Sequence, residues 1–171
     1  MLIDKSYFIG EILIPNLSSI GSGGSQAISK ANDDLLQVFI RKYEKLFLLS
    51  LLGPSLYEGL KKGFEAKEEK WMALAEQLAD SENHISPIAN YVYYWFIRNK
   101  ITETAGIGEV IGKANNAVMV SPEIKMVRAW NEMVDLVNEI VRWIDERKTM
   151  YPAVCPDFKA DIFYKINMFN L

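Results

Sequence analysis

The sequence predicts an all-α fold, a bundle of about four to five helices with one long helix in its C-terminal half. Apolar residues recur at spacings of three and four along several stretches of the chain. Serine, asparagine, glycine and proline stand at the ends of those stretches, as they do at helix ends. Residues 102–120 lack this repeat, and we expect them to form an extended loop or hairpin before the long helix.

The 171 residues suit one domain with a core of its own. We divide the domain, residues 1–171, into an N-terminal arm and linker (1–28), a helical core (29–148, with the extended loop at 101–120) and an aromatic tail (149–171). Half of the residues are apolar and 24% are charged, which is an ordinary globular composition.

The charge and cysteine content narrow the class of protein. A net charge of −3 argues against a basic nucleic-acid-binding domain. The single cysteine, Cys155, has no second cysteine to pair with inside the chain, which fits a reducing compartment. No apolar run approaches the roughly 20 residues of a membrane span, and no secretory signal is recognised. We therefore expect a protein made in a cytoplasm, with no membrane partner.

The N-terminal arm has an irregular apolar pattern. Residues 7–14 fit either a short strand or an arm that docks on a neighbouring subunit, and Pro15 ends the segment. Residues 21–25 read Gly-Ser-Gly-Gly-Ser, the composition of a flexible linker. A phosphate-binding loop is a poorer interpretation of these residues, because the lysine and the preceding apolar strand of such loops are missing.

The first long helix is predicted to start at a cap, Ser29 or Asn32, and to end at Leu52. Gly53 and Pro54 stop it, and a short helix follows as far as Gly63. The predicted core face of the long helix consists of apolar residues at helical spacing. These are Leu36, Phe39, Ile40, Tyr43 and Phe47.

Two further helices are predicted, one from Trp71 to near Asp80 and one from Ser86 to about Lys100. His84 lies on the polar turn between them, and we interpret it as a surface or capping residue because the sequence shows no partner for acid–base or metal chemistry. The aromatic block at residues 91–96 is compatible with base stacking, but its helical spacing favours core packing.

The long C-terminal helix is predicted over residues 121–148, with Ser121 as its cap and Pro122 at its first position. An apolar stripe marks its core face: Val127, Trp130, Val134, Val137, Val141 and Ile144. The opposite face is charged and carries Arg128, Glu132, Asp135, Glu139, Arg142, Asp145 and Glu146. Its acids lack the Glu-x-x-His pairs of helical metal sites, so we interpret them as solvated.

The tail at residues 158–171 is very apolar for a chain end, and it either folds back on the core or covers a partner; we favour the core. No residues form a recognisable catalytic set. We therefore expect no catalytic, cofactor-binding or metal-binding residues, and no enzyme.

Three stretches, in this order, carry a family resemblance. They are Tyr43-Glu44-Lys45 with LLGPSLYEGL at 51–60, the tyrosine-rich 91–98 with TETAGIGEV at 102–110, and KANNA at 113–117 with Ser121-Pro122 and Met126-Val127-Arg128. Together they resemble the small helical head–tail connector (adaptor) proteins of tailed bacteriophages, particularly those in prophages of gut bacteria. The resemblance covers residues 30–148, and its motifs are short and not catalytic.

The resemblance implies a virion structural protein that forms a homo-oligomeric ring, commonly of about twelve copies, beneath the phage portal. Its partners would be further copies of itself, the portal and tail proteins, and DNA that passes through without specific binding. It would be located in the host cytoplasm during assembly and then at the head–tail junction of the virion. The loop before the long helix would contact neighbouring subunits, through Thr102, Thr104, Gly106, Gly108, Val110, Asn115 and Asn116.

Two other functions stay open from the sequence. One is a small cytoplasmic helical module or regulator that buries its aromatic tail in a partner protein. The other is an enzyme that uses His84 with a nearby acid.

Overall fold

The computed structural model describes residues 1–15, 17, 26–105, 108–111, 122–151 and 163–167. These residues form an all-α bundle with one hairpin, which confirms the predicted fold class. The elements are α1 (Gln26–Glu65), α2 (Glu69–Leu78), α3 (Pro87–Ile101), β1 (Thr102–Ala105), β2 (Gly108–Ile111) and α4 (Glu123–Asp145). The predicted linker at residues 21–25 and Cys155 lie outside the described residues.

Helix α1 is interrupted at the predicted glycine. Gly53 has φ 73° and ψ 168°, which a residue with a Cβ rarely adopts, so α1 consists of a long part (26–52) and a short part (54–65). The predicted start of the first helix at Ser29 or Asn32 was wrong, because α1 begins at Gln26 and both residues lie within it. The residues at positions 26 and 27, before Ser29, are glutamine and alanine, which favour helix. A serine or asparagine inside a helix lowers the stability of the helix by only roughly a fraction of 1 kcal/mol.

Helix α3 lies between the long part of α1 and α4. On one side Phe39 of α1 packs edge-on against Phe96 (ring centroids 5.4 Å apart), and Tyr43 stacks on Trp95 at 5.4 Å. On the other side Tyr94 packs against Trp130 of α4 at 4.9 Å. The aromatic block of α3 therefore serves core packing, as predicted.

The N-terminal segment, residues 1–15 and 17, packs on its own bundle. It contains two short 3₁₀ turns, Lys5–Tyr7 and Gly10–Ile12, so the predicted strand or docking arm was wrong. Its apolar side chains do not alternate as a strand requires. Instead they are buried in the core: Ile3, Tyr7, Phe8, Ile12, Ile14 and Leu17.

One carboxylate anchors the start of this segment. Glu44 of α1 is buried, and its Oε2 accepts hydrogen bonds from the N–H groups of Leu2 (3.0 Å) and Ile3 (3.3 Å). The Met1 ammonium lies 3.7 Å from Oε1 of the same side chain. Burial raises the pKa of Glu44, and the hydrogen bonds and the ammonium oppose that shift.

Helix α2 folds back onto the short part of α1 because two glycines leave room for an indole ring. Trp71 lies against Gly59 and Gly63, and a Cβ at either position would overlap its ring. Tyr151, which is buried after α4, packs on Trp71 and donates a hydrogen bond to the Lys70 carbonyl at 2.5 Å.

Helix α4 is shorter than the predicted 121–148. The Pro122 carbonyl accepts the first helical hydrogen bond, from the Met126 N–H at 3.0 Å, and the chain passes into turns after Asp145. The predicted cap, Ser121, lies outside the described residues. The apolar stripe is buried as predicted except at Trp130, which is half-buried. Tyr94 and the C-terminal tail cover part of this side chain.

Five residues of the tail, 163–167, fold back on the core, as the sequence analysis favoured. Phe163 is buried and stacks on Phe47 with ring centroids 5.3 Å apart. Trp130 Nε1 donates to the Tyr164 carbonyl at 2.8 Å. Asn131 donates to the Ile166 carbonyl (3.0 Å) and accepts from the Ile166 N–H (2.8 Å), as a strand neighbour would.

Candidate functional site

The segment singled out by the sequence contains an antiparallel hairpin. Strands β1 and β2 pair in the register Thr102 with Ile111, Glu103 with Val110, Thr104 with Glu109, and Ala105 with Gly108. The expected extended loop or hairpin is thus confirmed for its first part. Of the candidate partner-binding residues, Thr102, Thr104, Gly108 and Val110 lie in these strands, whereas Gly106, Asn115 and Asn116 lie outside the described residues.

The hairpin begins at a fixed point of the bundle. Strand β1 follows the last residue of α3, Ile101, without an intervening loop. The Lys100 ammonium donates to Asn32 Oδ1 of α1 at 2.9 Å, and Phe96, on the turn of α3 before Lys100, packs edge-on against Phe39 of α1. The end of α3 is therefore held against α1 where the hairpin leaves it.

The hairpin also presents unpaired strand edges. Within the described residues its sheet has two strands, so β1 and β2 each have one edge without a strand partner. Such edges offer N–H and C=O groups to a further strand. A two-stranded hairpin alone is marginally stable in water, and it gains stability when a third strand or a packing surface is added.

The charged face of α4 is exposed, as predicted from its spacing. Some of its side chains contact other elements: Asp135 pairs with Lys165 of the tail (2.7 Å) and Arg128 with Glu11 (3.5 Å). In the part of the chain that the structure describes, no three histidine, cysteine or acidic side chains come together as a metal site would require.

His84 lies beside a cavity that the sequence did not reveal. Its Nδ1 is 3.2 Å from the Ser6 hydroxyl and its ring packs edge-on against Tyr7, so it helps to hold the N-terminal segment. The cavity, of about 330 Å³, is also lined by Arg128 and Glu132. Glu132 accepts a hydrogen bond from the buried Asn90 amide at 3.1 Å. No local pattern signals this grouping, because its members come from the N-terminal segment, the α2–α3 turn, α3 and α4.

No protein-family model, curated protein or solved structure matches the chain. None of the helices in the described residues is both long enough and apolar enough to span a membrane.

Proposed function

We propose that this chain is a non-enzymatic virion assembly protein, a head–tail connector subunit that forms a homo-oligomeric ring beneath a phage portal. The observation that carries the proposal is the hairpin, which starts at an anchored helix end and, within the described residues, has no strand partner at either outer edge. The order of sequence motifs supports the same function, because it resembles that of phage connector proteins.

The hairpin would gain its missing partner from a neighbouring copy or from the portal or tail. Addition of a strand to an exposed edge is a common mode of protein recognition, and backbone hydrogen bonds supply its affinity. A ring gives every copy two neighbours, so each hairpin finds a partner in the same way. Assembly would then complete a structure that the single chain leaves marginal.

The charge suits a ring through which DNA passes. The chain has a net charge of −3, so the assembled ring carries a negative field that repels phosphates. DNA would slide through such a ring without specific binding. The ring would form in the host cytoplasm and stay at the head–tail junction of the virion.

The test measures the assembly state of three chains by light scattering and negative-stain imaging, alone and with portal protein. The wild type should form rings of about twelve subunits. A variant in which residues 103–110 are replaced by eight glycines and serines should stay monomeric, because a glycine-rich segment does not hold the extended conformation that aligns the edge N–H and C=O groups. The control A66G/K67G alters an exposed turn, where Lys67 already has φ 55°, and should still form rings.

Two results would contradict the proposal. One is a wild-type chain that stays monomeric even with portal protein. The other is a tight dimer whose 102–120 segment resists protease, which would instead favour a helical binding module.

A further inference from the structure

One exposed face of α1 is basic with apolar residues among its cations. Val38, Arg41, Lys42, Lys45 and Leu46 recur at spacings of three and four, so they share one face of the helix. All five side chains are exposed, and Val38 and Leu46 are among the most exposed large apolar residues, at 59% and 43%. Among the described residues, no acid forms an ion pair with any of the three cations. We call these five residues the basic face.

A groove of the opposite charge lies between the end of α2, the start of α3 and the middle of α4. It has a volume of about 260 Å³, and its lining includes three acids and several apolar side chains. The acids are Glu76, Asp80 and Glu139, and the apolar residues include Ile85, Leu136 and Ile140. Among the residues that the structure describes, no lysine or arginine lines it. We call it the acidic groove.

Two of these carboxylates are fixed in place by the turn that follows α2. Asp80 accepts hydrogen bonds from the Asn83 side chain (2.8 Å) and from the N–H groups of Glu82 (2.9 Å) and Asn83 (2.8 Å). The Asn83 side-chain hydrogen bond is the largest of the effects that lower the pKa of Asp80. Glu76 accepts from the N–H and hydroxyl groups of Ser81. Hydrogen bonds therefore hold both carboxylates in position, beside Ile85, which is 49% exposed.

We propose that the basic face of one copy docks in the acidic groove of the next, so that the ring closes head to tail. This inference rests on the proposed ring. The two surfaces share no residue, and α3 separates the long part of α1 from α4, so one copy can present both at once. A contact between two different surfaces of identical copies is heterologous, and it generates a ring when its rotation closes.

The chemistry favours a second copy as the occupant. Cations around Val38 complement the carboxylates around Ile85 in both charge and apolar character. Complementary charges of this kind specify a partner and its register. DNA, the other occupant to consider for a basic surface, would leave the acidic groove unused. Exposed charge pairs are screened by salt, so the contact should weaken as ionic strength rises.

Charge exchange tests the pairing directly. K42E/K45E makes the basic face acidic, and E76K/E139K makes the groove basic. Each variant should assemble at least about tenfold more weakly than the wild type, because like charges now meet. A chain with all four substitutions should form rings again, and so should an equimolar mixture of the two variants. The control K61E/K62E changes the net charge as K42E/K45E does, but on the short part of α1, and should assemble like the wild type.

A cysteine pair adds a test that does not depend on ring closure. V38C/I85C in a C155S background should give a ladder of disulfide-linked chains, since a disulfide needs Cα atoms within about 7 Å. Either single cysteine should give dimers at most. If both charge-reversed variants assemble as tightly as the wild type and no ladder forms, the inference is overturned. The proposed ring itself would still stand. The inference is also overturned if K42E/K45E weakens the binding of DNA but leaves ring assembly unchanged.

The failure of the proposed function gives a different pattern. A wild type that forms no ring with or without portal, but still gives the V38C/I85C ladder, would keep the head-to-tail contact and remove the connector function. Absence of both rings and ladder would remove both proposals.

Discussion

The N-terminal segment and the hairpin differ in what holds them in place. The N-terminal segment has only two 3₁₀ turns, yet Phe8 is fully buried and Glu44 binds the backbone of Leu2 and Ile3. The hairpin has regular strands, yet in the described residues its sheet ends after two strands. The irregular N-terminal segment is thus held in place by the core. The regular hairpin, by contrast, has no further strand beside it in the described residues.

The difference shows where this fold gains its stability. Burial of apolar side chains supplies most of the free energy of folding, and secondary structure by itself supplies little. We therefore expect substitutions in the N-terminal segment to affect the folding of the single chain. We expect substitutions in the hairpin to affect assembly.

The substitution F8A should lower the free energy of unfolding by about 3–5 kcal/mol, because it leaves a cavity where a fully buried ring packs. Chemical denaturation of the monomer measures the loss. The control L13A lies in the same segment at an exposed position and should change the value by less than about 1 kcal/mol. A loss below about 1 kcal/mol for F8A would mean that the N-terminal segment is not part of the core.

The substitution E44A should cost about 1–3 kcal/mol at pH 7, since it removes the acceptor of two backbone N–H groups. E44Q keeps an acceptor oxygen and should cost less. The same denaturation series measures both variants. If E44A matches the wild type in stability, other contacts hold Leu2 and Ile3.

The pH dependence of Glu44 has a definite sign. Its pKa in the folded chain is raised above the ordinary 4.5, so the folded state binds more protons than the unfolded state just above that pH. The free energy of unfolding of the wild type, relative to E44Q, should therefore fall as the pH rises through this range. A difference that is constant between pH 4 and pH 7 would show that burial does not govern this carboxyl.

Local signals predicted part of this structure. The Gly53 break and the apolar stripe of α4 follow from residue type and helical spacing, and both are confirmed. The contacts that hold the chain ends were not predictable in the same way. Glu44 and Leu2 are 42 positions apart, and Asn131 and Ile166 are 35 apart, so no local pattern marks them. The cavity beside His84 was missed for the same reason, because its residues come from four parts of the chain.

A substitution that loosens the C-terminal tail should lower the free energy of unfolding less than F8A does. N131A removes both hydrogen bonds to Ile166 and should cost about 1 kcal/mol, since the freed backbone groups can reach water. Hydrogen exchange at the Ile166 amide should become faster than in the wild type. The control N138A is exposed on the same helix and should leave this amide unchanged. Equal protection in N131A and the wild type would show that the contacts of Phe163, Tyr164 and Lys165 hold the tail without these two hydrogen bonds.

The smallest effect on the monomer should come from the hairpin. Replacing residues 103–110 by glycines and serines should change the free energy of unfolding by less than about 1 kcal/mol, because an isolated two-stranded hairpin contributes little stability. The same replacement should abolish ring formation. A loss of several kcal/mol would mean that the hairpin packs on its own bundle, and its edges would then no longer argue for a neighbour. Unchanged stability with lost assembly is the result that separates a segment used for binding from one used for folding.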